Sequence, residues 1–580
     1  MKALSNFLAL SLFLTIALLA GCDTDTAEVA PADLVLTNGK IVTVDSLQPE
    51  VQALAVRGDT IAALGTSEDI AAYIGENTEV IDLEGHLAIP GFIEGHGHFM
   101  GIGQARMILD LTTANTWQDI VDMVAEAAAE AEPGEWILGR GWHQEKWDTV
   151  PEGAVEGVPT HHSLSEVSPD HPVYLRHASG HASFANAEAL RRGSVSSETP
   201  NPAGGEIVHD LRGEPTGMLR ETAQRLVGRA LASERERMTE EELLAEARKQ
   251  AELAAQESLA KGITSFQDAG SSFENVDFFK QLVDEGQLPL RLYVMIRASV
   301  DEAAEKMPAY RTINYGDHRL TVRALKRSID GALGPHGAWL LEPYTDMPDS
   351  RGLATDDPED IARLAEVAIE NDVQLNVHAI GDRANREVLD IYERAFAAHS
   401  DQSDLRWRIE HAQHLHPDDI LRFAELGVIP SMQGVHATSD GPWVYKRLGE
   451  QRAEEGAYVW QKLWQSGAIV TNGTDAPVED VDPIASYYAT VSRKLKDGSM
   501  FFEDQRLTRE QALQSYTLNN AYAAFEEDVK GTLTPGKLAD ITVLSKDILT
   551  IPEDEIPTTE VVYTIVGGNV AYQRGGEQDQ

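Results

Sequence analysis

The chain has 580 residues, 42% hydrophobic and 24% charged, an ordinary globular composition on a length too great for one simple core. Its formal net charge of −46 would repel phosphate backbones and argues against nucleic acid as a partner. The acidic residues are spread along the chain rather than gathered in a tail, so they describe a solvated surface and say little about substrate.

Residues 1–22 have the form of a processing signal. Lys2 supplies a minimal basic start, an apolar stretch runs from Phe7 to Ala20, and the segment ends in Leu19-Ala20-Gly21-Cys22. This resembles a bacterial lipoprotein signal. It implies lipidation of Cys22 and a cell-envelope location, at the periplasmic or external membrane face, with the lipid as the sole membrane contact. An ordinary secretory signal is the alternative; the apolar stretch is short for a membrane span. Cys22 is the only cysteine, so a disulfide within the chain is impossible and any metal site must use nitrogen and oxygen ligands. Residues 23–32 read as a tether, and Asp23 beside the lipidated cysteine hints at inner-membrane retention.

From Asp33 to about Ala88, short alternating strands are separated by the turn dipeptides Asn38-Gly39 and Gly58-Asp59. A matching set recurs at Asp540–Leu544, Val561–Val566 and Val570–Tyr572. The two sets predict one small β-sandwich built from both chain ends, residues 33–88 plus 531–577; two separate β appendages are the alternative. Between them, strands and helices alternate, which predicts a parallel α/β architecture. Eight candidate strands, Ala88–His96, Gly262–Asp268, Leu290–Arg297, Leu320–Ser328, Val373–His378, Leu405–His411, Val428–Met432 and Ala468–Thr474, match the number a (β/α)₈ barrel needs over 89–530. The gap after the first strand is too long for one helix. Residues from about 135 to 225 therefore read as an insertion placed to cover the active-site rim.

The chemistry concentrates at strand ends. His96 and His98 close an apolar run at a spacing that points both imidazoles to one side of a strand. Lys326, His378, His411 and Asp475 stand at or near later strand ends. Taken singly, each has a plainer reading: Lys326 as a solvated base between Arg323 and Arg327, the histidines as hydrogen-bonded core groups, Asp475 as a turn residue. Their joint placement on strands one, four, five, six and eight favours a metal-dependent hydrolase.

The motifs are Pro90 through His98, Lys326 through Asp330-Gly331-Ala332-Leu333-Gly334, Asn376 through Asp382, Arg408-Ile409-Glu410-His411-Ala412, and Gly473-Thr474-Asp475-Ala476-Pro477. In this order they resemble the amidohydrolase superfamily, in the branch with N-substituted formamide deformylase and exoenzyme-regulatory proteins, over Asp33 to Tyr572. The resemblance implies that His96 and His98 bind one divalent metal, His378 and His411 a second, and that Lys326, carboxylated by carbon dioxide, bridges them. Asp475 would contact the first metal and act as general base. One or two ions, with zinc preferred, would activate water against a non-peptide carbon–nitrogen bond of an N-substituted amide. Only a neutral amine attacks carbon dioxide, and burial in a barrel lowers a lysine pKa.

His181, Gln433, His436 and Asp440 are candidate substrate-binding residues, and Asp268 a supporting one. Arg140, Trp142 and Trp147 are candidates for the entrance, with aromatic packing of the insertion as the plainer reading. Gly95 and Gly97 are expected to leave the metal loop unusually free. Pro335-His336 and Gly434 depart from the branch's usual Ser-Arg and proline, which bears on the substrate more than on the metal. Three alternatives stay open: hydrolysis of a cyclic imide, lactone or ester by the same centre, a binding or sensory lipoprotein without catalysis, and a homodimer.

Overall fold

The computed structural model describes residues 29–144, 147–155, 157–178, 180–202 and 204–576. The signal, the tether to residue 28 and Cys22 lie outside the described residues. Eight parallel strands form one sheet in unbroken order: β1 (Phe92–Gly97), β2 (Ile263–Ser271), β3 (Arg291–Ile296), β4 (Leu320–Ser328), β5 (Gln374–Ala379), β6 (Arg408–His411), β7 (Ile429–Gln433) and β8 (Thr471–Gly473). Strands β1, β3, β6 and β7 are buried at every residue, as expected where helices cover one face and the barrel interior the other. The covering helices are amphipathic. In Pro358–Glu370, Ile361, Leu364, Ala365 and Ala368 make one buried stripe; Asp357 caps the first turn and Pro358 opens it with a φ already suited to the helix. No helix among the described residues is long and apolar enough to cross a membrane.

The predicted strand Ala88–His96 is two strands. Leu87–Pro90 belongs to the chain-end sheet, pairing with Lys40–Ile41 and with Ile541–Leu544, while β1 starts the barrel after Gly91. Gly91 stands at the break, where a side chain would collide with Thr264 of β2. The sandwich then consists of a four-stranded sheet (Leu34–Thr37, Ala53–Arg57, Thr60–Gly65, Glu79–Asp82) and a six-stranded one containing Lys40–Val42, Leu87–Pro90, Ile541–Leu544 and Val561–Val566. Leu34, Leu36, Leu54 and Val56 of the first meet Ile41, Ala88, Ile541, Val543 and Ile565 of the second in one core.

After β1 a second six-stranded sheet runs from Leu109 to Glu221 with its own apolar cluster around Trp117, Trp142, Leu175 and Phe184. It starts earlier than the His- and Trp-rich stretch suggests, because Leu109-Asp110 pairs with Gly139-Arg140.

Side-chain bonds, with two main-chain bonds just past the strand ends, join β1 to β8 in place of a strand ladder. The Glu94 carboxylate accepts from Thr474 N at 2.7 Å, Thr474 Oγ1 at 3.0 Å and His96 N at 3.1 Å. Asn520 Nδ2 donates to Ile93 O at 2.6 Å and to Asn472 O at 2.8 Å. Glycines permit this approach: a Cβ on Gly473 would fall 2.6 Å from His96 N, and one on Gly95 2.6 Å from Asn520 Oδ1. A Cβ on Gly97 would fall 2.5 Å from Phe266 Cζ. Gly95 and Gly97 thus serve close packing, which corrects the expectation of a free loop.

Barrel and sandwich are locked by Arg291 at the start of β3, whose Nε and Nη2 donate to Asp540 at 2.7 and 3.0 Å. Both side chains are almost fully buried, and Asp540 also accepts from Gly567 N at 2.8 Å. Burial pushes the Asp540 carboxyl up, but Arg291 and the hydrogen bonds win and hold it below the usual carboxylate value. Its stabilisation is therefore present above the unfolded-state value near pH 4 and lost as pH falls through the lower folded value. Asp540→Asn leaves a buried guanidinium unpaired and should cost about 3–5 kcal/mol in denaturant unfolding. The variant's loss of stability on acidification should also be smaller than that of the unaltered chain. Gly473→Ala should cost about 1–3 kcal/mol by overpacking the seam; unchanged stability would show that the seam can open to admit a methyl group.

Candidate metal centre

The sequence-predicted ligands converge on the C-terminal rim, where barrels of this kind place their chemistry. His96 and His98 leave the end of β1, Lys326 stands on β4, His378 on β5, His411 ends β6, and Asp475 follows β8. Two backbone bonds of 2.7 Å, Asp475 N to His96 O and His98 N to Ala476 O, fasten the first and last elements across the seam. His96 Nδ1 is held by Glu410 Oε2, which leaves Nε2 3.5 Å from Asp475 Oδ1; His98 Nε2 lies 3.2 Å from the same oxygen. His411 Nδ1 donates to Gln433 Oε1 at 2.7 Å, so its Nε2 carries the lone pair.

Among the described residues, His96, His411 and Asp475 place candidate ligand atoms within 4.8 Å of one another, all three residues buried. The His378 ring centroid is 4.5 Å from that of His411. Its Nε2 has no hydrogen-bond partner, although Asp330 Oδ1 stands 3.5 Å away.

Burial sets the charge states. It drives His96 down to about 4, helped by the Lys326 charge, and takes His378 and His411 well below the ordinary imidazole value, so these rings are neutral donors at pH 7. Burial raises Asp475, but the hydrogen bond from His98 and the neighbouring imidazoles outweigh it and hold the carboxylate well below its usual range. Burial also pulls the Lys326 amine down to about 8 against the pull of Glu410. Neutral imidazoles, ionised carboxylates and an orphaned buried nitrogen on His378 are the donor set a divalent cation requires, and the residues fit one.

Two ligand-bearing residues adopt the left-handed region, His411 at φ 75° and Asp475 at φ 59°. A non-glycine residue there costs on the order of 1–3 kcal/mol and persists where the surroundings over-determine it. Here the strain falls on the carriers of the ligand atoms.

Three further carboxyls of the same motifs, on which the sequence pattern places no role, support the ligands. Glu410 buttresses His96; burial raises it, yet His96, Arg408 and Lys326 bring it to about 2. Asp330 accepts from Trp339 N, Ile380 N and Gly381 N at 2.8, 3.0 and 2.8 Å beneath His378, while burial lifts it to about 7. Glu94, the seam residue, is lifted by burial to about 8. The signal was present: a carboxylate inside an apolar strand must find a partner.

Among the softer candidates, Gln433 contacts His411. His436 Nε2 lies 3.9 Å from Asp475 Oδ2, and its Nδ1 3.1 Å from Gln413 Nε2. Asp440, one helical turn on, accepts from the Tyr458 hydroxyl at 2.6 Å. His181 pairs with Glu221 at 3.1 Å and packs on Gly331, where a Cβ would lie 3.2 Å from His181 Cε1, so the insertion reaches the rim. Asp268 accepts from Phe99 N at 2.9 Å and Ser271 Oγ at 2.5 Å, pinning the segment just after His98. Trp142 and Trp147 stack on each other, ring centroids 5.9 Å apart, in the insertion's core. His336 pairs with Asp346 at 3.1 Å, and Gly434 N donates to Asn472 Oδ1 at 2.9 Å.

The chain matches the amidohydrolase family over residues 79–572. Protein LONG AFTER FAR-RED 3 of Arabidopsis thaliana is 32% identical over 93% of this chain and 92% of its own length. The N-substituted formamide deformylase of Arthrobacter pascens is 27% identical over 94% of this chain and 99% of its own. An uncharacterized metal-dependent hydrolase of Pyrococcus furiosus superposes with a TM-score of 0.69 at 27% identity, covering 89% of this chain and 100% of that one. With the buried His96–His411–Asp475 group at the barrel rim, these likenesses make the chain a member of the amidohydrolase family and a metal-dependent hydrolase.

Proposed function

We propose that this hydrolase cleaves a non-peptide carbon–nitrogen bond in an N-substituted amide. The observation that carries the reading is the convergence of neutral imidazoles and one ionised carboxylate in a buried group at the rim. Near-full-length similarity to an N-substituted formamide deformylase supports the bond type. His96, His98, His378, His411, Asp475 and Lys326, the last as its carbamate, would hold one or two divalent ions. The nitrogen and oxygen donors suit zinc. Carbamate formation joins the Lys326 nitrogen to carbon dioxide and releases a proton. When bound, the metal supplies Lewis-acid polarisation of a carbonyl oxygen and of water.

The remaining steps belong to the chain. Asp475, ionised and lying 3.2 Å from His98 Nε2, accepts a proton from water as its oxygen joins the carbonyl carbon. The same proton passes to the departing nitrogen as the carbon–nitrogen bond breaks, giving an acid and an amine. Gln433 keeps His411 in one tautomer, and Glu410 does so for His96. Anchorage at the cell envelope by a lipid on Cys22 is part of the proposal and rests on the Leu19–Cys22 sequence alone.

Asp475→Asn should still fold, with some loss of stability, and lose roughly 10²–10⁴-fold in kcat; undiminished turnover would reject the base. Glu410→Gln, which removes the charge behind His96, should weaken metal affinity about 10–100-fold in a chelator titration read by elemental analysis. A screen over formamides, acyl-amino acids, cyclic imides and lactones tests the bond itself; hydrolysis of lactones alone would overturn the amide assignment.

A further inference from the structure

We infer that His436 is a catalytic residue of the hydrolysis, donating from its Nε2–H to the substrate carbonyl oxygen as that oxygen gains negative charge. The inference rests on the hydrolase reading above and adds a reacting group to it.

The fold carries His436 to the pocket. The helix Gly434–Leu448 opens directly after β7, and its first turn is fastened to the β8 side. Gly434 N donates to Asn472 Oδ1 at 2.9 Å, and Val435 N to Ser486 Oγ at 3.2 Å. A Cβ on Gly434 would fall 2.4 Å from Ser486 O, so the helix comes this close only with glycine there. Asn472 stands on β8, on the approach to Asp475. His436 therefore comes to rest beside two members of the centre. Its buried ring lies at 26° to that of His411, centroids 6.1 Å apart, and its Nε2 is 3.9 Å from Asp475 Oδ2.

His96, His411 and His436 are each anchored through Nδ1, and the anchor decides what Nε2 offers. Glu410 Oε2 and Gln433 Oε1 accept from the first two rings, so their Nε2 atoms carry lone pairs suited to a cation. His436 is anchored by the opposite kind of group. The Gln413 amide nitrogen donates to its Nδ1 at 3.1 Å, so the ring hydrogen sits on Nε2. The Asp475 carboxylate favours the same tautomer, because it would repel a lone pair facing it. At 3.9 Å the two do not hydrogen-bond, and His436 Nε2 is a buried atom with no hydrogen-bond partner among the described residues. Packing alone does not call for it. A phenylalanine would fill the space without a buried N–H that lacks an acceptor, which folded interiors avoid.

Asp475 and His436 thus present an acceptor and a donor side by side, the pair that attack on a carbonyl needs. Water gives its proton to Asp475 as its oxygen bonds the carbonyl carbon, and the carbonyl π pair moves onto the carbonyl oxygen. Both oxygens then sit on one carbon, one toward the acceptor and the other toward the donor. His436 transfers no proton. Its hydrogen bond strengthens as charge develops on the oxygen and relaxes when the carbonyl re-forms and the leaving group departs. Amides, imides and esters share this oxygen, so the role holds whichever bond breaks.

The test uses full-length, zinc-loaded enzyme and N-benzylformamide. His436→Phe should lose about 10²–10³-fold in kcat with KM little changed. His436→Gln, which can place an amide N–H where Nε2 stood, should recover about tenfold of that loss. Elemental analysis should find zinc undiminished in both. Should His436→Phe fail to fold, His436→Asn, which keeps a partner for Gln413 but ends short of the pocket, reads the same contrast. The kcat/KM preference for N-benzylformamide over N-benzylthioformamide should shrink about tenfold without the donor, since sulfur accepts hydrogen bonds poorly and the metal's own response to sulfur cancels in the comparison. Unchanged kcat, an unchanged oxygen-over-sulfur ratio, or loss of zinc overturns the inference. Calorimetry with 2-phenylethylphosphinate, whose H–P(O)O⁻ group copies the attacked formyl carbon and has no bond to cleave, separates the two readings. Binding weakened about tenfold or more in the donor-free variant, with no turnover of the formamide, supports the donor and sinks the amide assignment alone. Turnover with kcat and phosphinate binding indifferent to position 436 sinks the donor alone. Neither turnover nor phosphinate binding in the unaltered chain sinks both.

Discussion

The closure of β1 against β8 is the constraint on which the site depends. A parallel barrel ordinarily closes by continuing its ladder. Here the junction is carried by Glu94, which accepts from both flanking strands, and by the Asn520 amide, which donates to both. Beside these side-chain bonds, two main-chain bonds, Asp475 N to His96 O and His98 N to Ala476 O, fix His96 and Asp475 relative to each other. A metal pocket assembled from opposite ends of a chain needs this precision, since a ligand displaced by half an ångström loses much of its value. It also explains why glycine stands at 95 and 473. Two backbones that exchange contacts with a carboxylate and an amide leave no room for a Cβ.

Much of this was legible in the sequence, and what was not has identifiable causes. The eight strands and the two-ended sandwich follow from apolar runs and turn dipeptides, which are local signals. The division of Ala88–His96 does not, because the run is apolar on both sides of Pro90-Gly91 and its halves differ only in their distant pairing partners. Gly95 and Gly97 misled for a related reason: glycine signals either freedom or close approach, and the packing partner that distinguishes them lies hundreds of residues away. Asp475 was visible from its motif, whereas the left-handed backbone that aims it was not, since nothing in Thr474-Asp475-Ala476 demands a positive φ.

The buried charges around the centre form an ordered set. Glu410 faces His96 on one side and is drawn on the other by Lys326 and Arg408; Arg408 in turn donates to Gln267 Oε1 at 2.5 Å and Ala523 O at 2.7 Å. The opposite charges offset part of one another's desolvation, while Glu410 Oε1 and Arg408 Nε are left without a hydrogen-bond partner. Asp330 stands apart. Three backbone amides donate to it from the protein side, and its Oδ1 stands 3.5 Å from His378 Nε2, which has no hydrogen-bond partner.

The sandwich has a part in this that its distance from the rim conceals. Arg291, clamped by Asp540, is the first residue of β3, and Arg297 follows the last. One short strand, buried throughout, therefore runs from the inter-domain lock to the rim that carries the metal centre. A strand pinned at one end and hydrogen-bonded on both sides to β2 and β4 cannot slide in register without exposing its core face. The point where the chain leaves β3 at the rim is thus set by an ion pair at the opposite end of the barrel, while the insertion above the rim is held by its own separate core.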